Sequence, residues 1–228
     1  MTAPDDLPQN IAEQHGRAKI LTIALGICVG LYVLRLGSAF MQLDLLGKMA
    51  RGVDVPRDVV AANDARQGLL AAVGLVALLS TAIVCLVWLH RAYANLKLMG
   101  SKQTEITPGW AVGYWFIPFV NLFRPYMTVK ELWQRSATAN AAGVLTAAPA
   151  LIGVWWAAYL GAGFAGRAAA SMTSGGATQL QDLSTSTVWS AASNGMLVLA
   201  GLVFIQLVRQ IDAAQQKAVV TTSSSNPP

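Results

Sequence analysis

The chain has 228 residues, of which 54% are hydrophobic and only 12% charged, with a mean hydropathy of +0.48. A soluble domain carries about 25% charged residues, so this composition excludes an ordinary soluble enzyme or binding domain and points to an all-α, polytopic integral membrane protein. The net charge of +5 comes from sixteen basic residues placed at the ends of apolar blocks and not gathered into a run. It reads as a topology signal, and no nucleic-acid partner is expected.

Residues 1–16 are polar and contain two prolines, the composition of a disordered tail. A single membrane domain is expected over residues 17–212. Arg17 and Lys19 precede the first predicted span, residues 20–43. Its 24 residues make about 36 Å of helix, enough to cross a hydrocarbon core of about 30 Å. Arg35, within that span, has a stem long enough to carry its guanidinium to the nearer interface. The connector over 44–67 mixes acids and bases, with Asp54 suited to cap a helix and Pro56 to its first turn. The second span, residues 68–90, contains no Asp, Glu, Lys or Arg, and its helical pattern continues towards Gly100. Arg91 and Asn95, four apart on that continuation, are expected on one face.

From Trp88 to Trp133 the chain concentrates four of its seven tryptophans together with Pro108, Pro118 and Pro125. Tryptophan prefers headgroup depth and proline interrupts spanning helices, so residues 108–136 read as a re-entrant or interfacial segment. Thr107 and Pro108 have the form of an N-cap followed by proline at the first helical position. They predict an aromatic helix from Gly109 to Ile117, stopped by Pro118 and about 15 Å long, half the hydrocarbon core. After Pro125 the pattern becomes an amphipathic helix of the interfacial kind, with Tyr126, Val129, Leu132 and Trp133 on one side and a Glu131–Arg135 pair elsewhere.

Residues 143–166 form the third predicted span, in which Ala157, Gly161 and Ala165 recur every four residues and invite close helix packing. A Ser/Thr/Gly-rich loop over 167–187 leads to the last span, 188–209. Residues 213–228 have the composition of a disordered end.

The basic residues choose between four spans and five, because cytoplasmic loops carry the excess. With four spans and both termini inside, ten bases lie inside and five outside; if 109–123 crosses as a fifth span, six lie inside and nine outside. Inverting the five-span chain gives nine against six, a weaker bias than ten against five. The first loop, however, carries four bases on the unfavoured side, balanced by Asp44, Asp54, Asp58 and Asp64.

Three stretches carry a resemblance to a family of bacterial polytopic membrane proteins catalogued only as a domain of unknown function. They are W-L-H-R-A-Y-A-N-L over 88–96, T-P-G-W-A-V-G-Y-W-F-I-P-F-V-N-L-F-R-P over 107–125, and V-K-E-L-W over 129–133. The resemblance implies a bacterial cytoplasmic membrane location and a shared architecture. It brings no established activity, cofactor or catalytic residue.

The chemistry of an enzyme is hard to find in these residues. His15 and His90 are the only histidines, no metal-binding, nucleophile-elbow or phosphate-loop motif occurs, and the predicted spans contain no Asp or Glu. Cys28 and Cys85 each sit in an apolar block and read as small buried side chains. No catalysis, cofactor or metal is therefore expected. The candidate site is a polar and aromatic set at the inner interface: Arg91, Asn95, Trp110, Trp115, Asn121 and Arg124. Arginine pairs with phosphate through a bidentate fork and aromatic rings sit at headgroup depth. The expectation is a scaffold or interaction module whose partners are anionic membrane lipids, another membrane protein or a second copy. The alternative is a small-molecule channel or transporter.

Overall fold

The computed structural model describes residues 7–99, 104–138, 149–174 and 179–224, and every regular element among them is helical. These are α1 (Leu7–Ala50), α2 (Arg57–Leu98), α3 (Pro108–Gly113), a single 3-10 turn (Val120–Leu122), α4 (Arg124–Thr138), α5 (Ala150–Thr173) and α6 (Leu180–Ser224). Helices α1, α2 and α6 have 44, 42 and 45 residues, or about 63–68 Å each at 1.5 Å per residue. All three are long and apolar enough to cross a membrane. Only 17%, 11% and 33% of their most apolar windows are buried within the protein, so most of that surface needs an apolar solvent. Helix α5, with 24 residues, likewise exposes Leu151, Val154 and Phe164.

The turn between α1 and α2 follows from Gly52. At φ +75° it ends α1 in a Schellman motif, Val53 N–H donating to Lys48 O at 3.1 Å and Gly52 N–H to Met49 O at 3.0 Å. Helix α2 restarts where Pro56 places it, Pro56 O accepting from Val59 and Val60 N–H.

Contacts divide the chain into two compact units, and each long helix contributes one portion to each of them. The first comprises residues 1–25, 80–154 and 203–228. Its core is Leu21 from α1, Trp88, Leu89, Ala92, Tyr93 and Leu96 from α2, Val129 and Leu132 from α4, and Leu207, Val208 and Ile211 from α6. Buried polar groups bind it further. Gln14 Nε2 donates to Trp88 O at 3.2 Å, and Gln215 Nε2 donates to Ala92 O at 3.1 Å and Ser136 Oγ at 3.2 Å. His15 Nδ1 lies 2.6 Å from Asp212 Oδ2, which also accepts from Gln216 Nε2 at 2.8 Å.

The second unit comprises residues 26–79 and 155–202. Small residues set its helix spacing. Ala158, Ala162, Ala165 and Ala169 of α5 are buried, and hydroxyls of α6 reach their backbone: Ser193 Oγ to Ala162 O at 2.9 Å and Ser186 Oγ to Ala169 O at 3.0 Å. A Cβ on Gly161 would stand 2.9 Å from Met196 Sδ, and one on Gly201 would stand 2.6 Å from Val29 Cγ2. Of the stripe read from the sequence, Gly161 lies against Met196 of α6 and Ala165 is buried, while Ala157 is exposed and Ala158 takes the buried position instead. Arg35 lies against Gly74, its Nη1 3.4 Å from where a Cβ would be.

Three expected boundaries move. The tail predicted over 1–16 is helical from Leu7, because Ile11, Gln14 and Ala18 repeat at helical spacing on the buried face of α1. The tail predicted from residue 213 continues α6, with Gln215 and Ala218 buried. The Ser/Thr-rich stretch is helical from Leu180, and Ser184, Thr185 and Thr187 return their hydroxyls to carbonyls four residues back. Residues 1–6 and 225–228, and the start of the third expected span at 143–148, lie outside the described residues.

Candidate membrane-interface site

The segment after α2 opens as the sequence suggests. Thr107 is extended, at φ −82° and ψ 156°, and its side chain accepts the Trp110 N–H at 3.4 Å with Pro108 in the first turn. Helix α3 then runs for only six residues, about 9 Å, where the sequence suggests nine or ten. The chain tightens after Gly113 into i→i+3 bonds, Trp115 N–H to Val112 O and Phe116 N–H to Gly113 O, and Pro118 blocks further helix. No helix between α2 and α4 among the described residues is long enough to cross a bilayer.

Pro118 begins a tight reversal. Val120 N–H donates to Pro118 O at 2.8 Å, closing a γ-turn around Phe119 at φ 62° and ψ −42°. Phe119 is the one non-glycine residue with positive φ among the described residues, a conformation that costs on the order of 1–3 kcal/mol. The reversal points apolar groups outwards: Phe119 is 82% exposed, Phe116 71% and Phe123 65%. Trp110, Ile117, Leu122 and Met127 are exposed as well.

Both ends of this loop are fixed to the first unit. Ile106 and Ala111 are buried on one side, and Pro125, Thr128 and Val129 on the other. Tyr93, fully buried on α2, donates its hydroxyl to Thr128 O at 2.7 Å and lies 3.3 Å from Glu131 Oε2. Glu131 Oε1 accepts the backbone N–H of Glu105 at 2.7 Å, with Arg135 Nε 3.9 Å away. Tyr93 and Glu131 thus tie both entry and exit of the loop to α2.

Helix α4 departs from its expected role. The face carrying Val129 and Leu132 is covered by protein, and Ser136 and Trp133 reach α6 through Gln215 and through Gln210 Oε1 at 3.0 Å. An amphipathic helix whose apolar side finds partners in its own chain has none left to lay on a bilayer. Apart from Met127 in its first turn, the exposed apolar surface belongs to the loop before it.

The six residues singled out from sequence separate into two groups. Trp110 stacks on Tyr114, ring centroids 5.3 Å apart at 28°, and the Arg124 guanidinium stands 5.0 Å from the centroid of Tyr114. That arrangement brings Trp110 and Arg124 together through a residue that sequence reasoning passed over. The N–H donors of Arg124 have no hydrogen-bond or ion-pair partner among the described residues, and the side chain is exposed. Asn121 is half-buried in the same turn, its backbone N–H on Ile117 O at 3.0 Å, and Trp115, next to Tyr114 in sequence, is half-buried as well. Arg91 and Asn95 do not share a face as expected: Arg91 is exposed, while Asn95 is 4% exposed with its Nδ2 unpaired among the described residues. Four residues advance a helix by about 40° beyond a full turn, which at the rim of a packed face divides solvent from core. The signal for Tyr93, Tyr114 and Glu131 was present in the same sequence words. The roles of Tyr93 and Glu131 depend on pairings across 26–38 residues of chain, and that of Tyr114 on ring contacts with Trp110 and Arg124, neither of which spacing reveals.

Among the described residues no group of His, Cys, Asp or Glu could hold a metal ion, and neither Cys28 nor Cys85 is in a disulfide. Long apolar helices with uncovered surfaces and a strained aromatic loop define an all-helical membrane-embedded protein. The chain belongs to the family described as Domain of unknown function (DUF4328), which matches residues 51–213. The match runs from the end of α1 to within α6 and contains the whole aromatic loop, Tyr93 and Glu131. No curated protein and no solved structure matches the chain.

Proposed function

We propose that this protein is a four-span scaffold or interaction module of a bacterial cytoplasmic membrane, with both termini cytoplasmic, whose loop 114–123 contacts the inner leaflet and whose Arg124 holds the phosphate of an anionic lipid. The observation that carries this reading is the pairing of three outward phenylalanines with an arginine whose N–H donors have no partner among the described residues: Phe116, Phe119 and Phe123 are exposed beside a guanidinium that rests on Tyr114. Apolar rings enter the headgroup region, and the guanidinium edge meets phosphate there. Strain at Phe119 supports a functional purpose, since an unneeded positive φ is readily relieved by glycine. Helix α5 is the fourth span, because its 24 residues reach about 36 Å and carry Arg167 as their one charge. The distribution of ten bases inside and five outside sets the orientation.

The test is lipid preference measured on purified full-length protein, by native mass spectrometry against phosphatidylglycerol and phosphatidylcholine. Wild type retains phosphatidylglycerol preferentially. Arg124→Ala loses one charged contact of about 1.5–3 kcal/mol and with it roughly tenfold of that preference, at unchanged thermal stability. Phe119→Gly keeps or raises stability while weakening lipid retention. An Arg124→Ala protein with wild-type lipid preference excludes the reading.

A further inference from the structure

The charged connector between α1 and α2 has no part in the aromatic loop, yet it carries four bases balanced by four acids on the side where bases are disfavoured. In the second unit two of those bases and two of those acids line a cavity. Its volume is about 410 Å³, within the about 300–1,000 Å³ usual for small-molecule sites, and its charged walls are Asp44 and Lys48 of α1 and Asp58 and Arg66 of α2.

Arg66 is held in place from behind. Its Nε donates to Ser38 Oγ at 2.9 Å and its Nη2 to Asn63 Oδ1 at 2.6 Å, and both partners are more than nine-tenths buried. A guanidinium has five N–H donors. Two are used here, and the other three have no partner among the described residues. Gln67 joins Ser38 O and Gln42 Oε1 and so closes α2 on α1 beside the arginine. Asp58, in the first turn of α2, is exposed and has no hydrogen-bond or ion-pair partner among the described residues. Lys48 and Asp44 pair at 2.7 Å, but both side chains are about half exposed, so the pair opens at little cost. Met41 and Val59 add exposed apolar surface to the lining.

A simple anion would meet Arg66 and leave Asp58 facing it, and a simple cation would do the reverse. A molecule with both charges satisfies both. We infer that this cavity binds a phosphoethanolamine zwitterion, its phosphate on Arg66 and Lys48 and its primary ammonium on Asp58 and Asp44. A primary ammonium supplies three N–H donors to the carboxylates. A quaternary choline ammonium supplies none, so the site discriminates between the two heads. The same chemistry is carried by a phosphatidylethanolamine headgroup and by free phosphoethanolamine. This site is independent of Arg124 and the aromatic loop.

The experiment titrates purified full-length protein with phosphatidylethanolamine, phosphatidylcholine and free phosphoethanolamine, read by native mass spectrometry. Wild type favours phosphatidylethanolamine over phosphatidylcholine by about tenfold, the worth of charge-assisted hydrogen bonds. Asp58→Asn, an exposed change, removes the discrimination without altering thermal stability. Arg66→Lys keeps the charge but loses the fork and weakens both lipids. Competition by free phosphoethanolamine identifies a soluble zwitterion as the natural source, and lipid binding without such competition identifies the membrane headgroup. Equal retention of the two lipids by wild type together with no binding of free phosphoethanolamine overturns the inference, as does undiminished discrimination in Asp58→Asn.

Discussion

Tyr93 joins three pieces of chain that the sequence separates. Its hydroxyl, donated to Thr128 O and set against Glu131, fixes α4 on α2, and Glu131 in turn holds the backbone ahead of α3. Replacing it with phenylalanine leaves a buried carbonyl and a half-buried carboxylate without this donor, at a cost of about 1–3 kcal/mol. Tyr93→Phe therefore lowers the thermal midpoint of the purified protein and accelerates proteolysis between residues 104 and 107, while Tyr114→Phe, which retains its ring, does neither. Asn95 illustrates the limit of reading at this scale. Its type and spacing suggested a polar site residue next to Arg91, but a residue four positions along a helix crosses from rim to core when the packed face is narrow. Arg124 and Trp110 could be singled out by residue type alone, as an arginine and a tryptophan set between prolines. Tyr114, which joins them, could not, since one tyrosine among six aromatic neighbours carries no mark of its contacts.

Helix α4 shows why an apolar stripe does not name its partner. Its periodicity was correctly legible as amphipathic, but a stripe fits protein as well as lipid, and Gln210, Gln215 and Tyr93 supply the protein. Likewise the end of α1 and the start of α2 followed local rules that a sequence contains, Gly52 and Pro56 among them, whereas the helical extensions at 7–16 and 213–218 depend on burial against other helices. Close packing between helices makes a sharp prediction at Gly201. A methyl group there stands 2.6 Å from Val29 Cγ2, an overlap that must displace one helix or the valine. Gly201→Ala loses about 1–3 kcal/mol to overpacking, less the roughly 1 kcal/mol by which alanine favours a helix. Thermal denaturation in detergent detects the loss, and Val29→Ala in the same protein restores the midpoint. Two independent losses that add would place the strain elsewhere.

At the scale of the molecule, composition and hydropathy were sufficient to identify membrane embedding, because apolar windows of this length have no other solvent. The orientation that the basic residues imply is checked by cysteine accessibility in a Cys28→Ala, Cys85→Ala background. Val53→Cys, exposed between α1 and α2, reacts with an impermeant maleimide on intact cells, and Lys97→Cys and Ala213→Cys react only after permeabilisation. Labelling of Lys97→Cys from outside reverses the orientation and removes Arg124 from the inner leaflet. The loop itself could be located from prolines and tryptophans, but its conformation could not, because a positive φ at phenylalanine arises only where the surroundings enforce it. The most direct measurement of its role places an environment-sensitive fluorophore at Phe119→Cys in the same cysteine-free protein, reconstituted with phosphatidylglycerol. The emission is expected to be blue-shifted and quenched by lipids carrying a spin label near the headgroup, and Arg124→Ala reduces both effects. Emission typical of water, quenched by aqueous iodide and indifferent to the labelled lipids, would contradict the account.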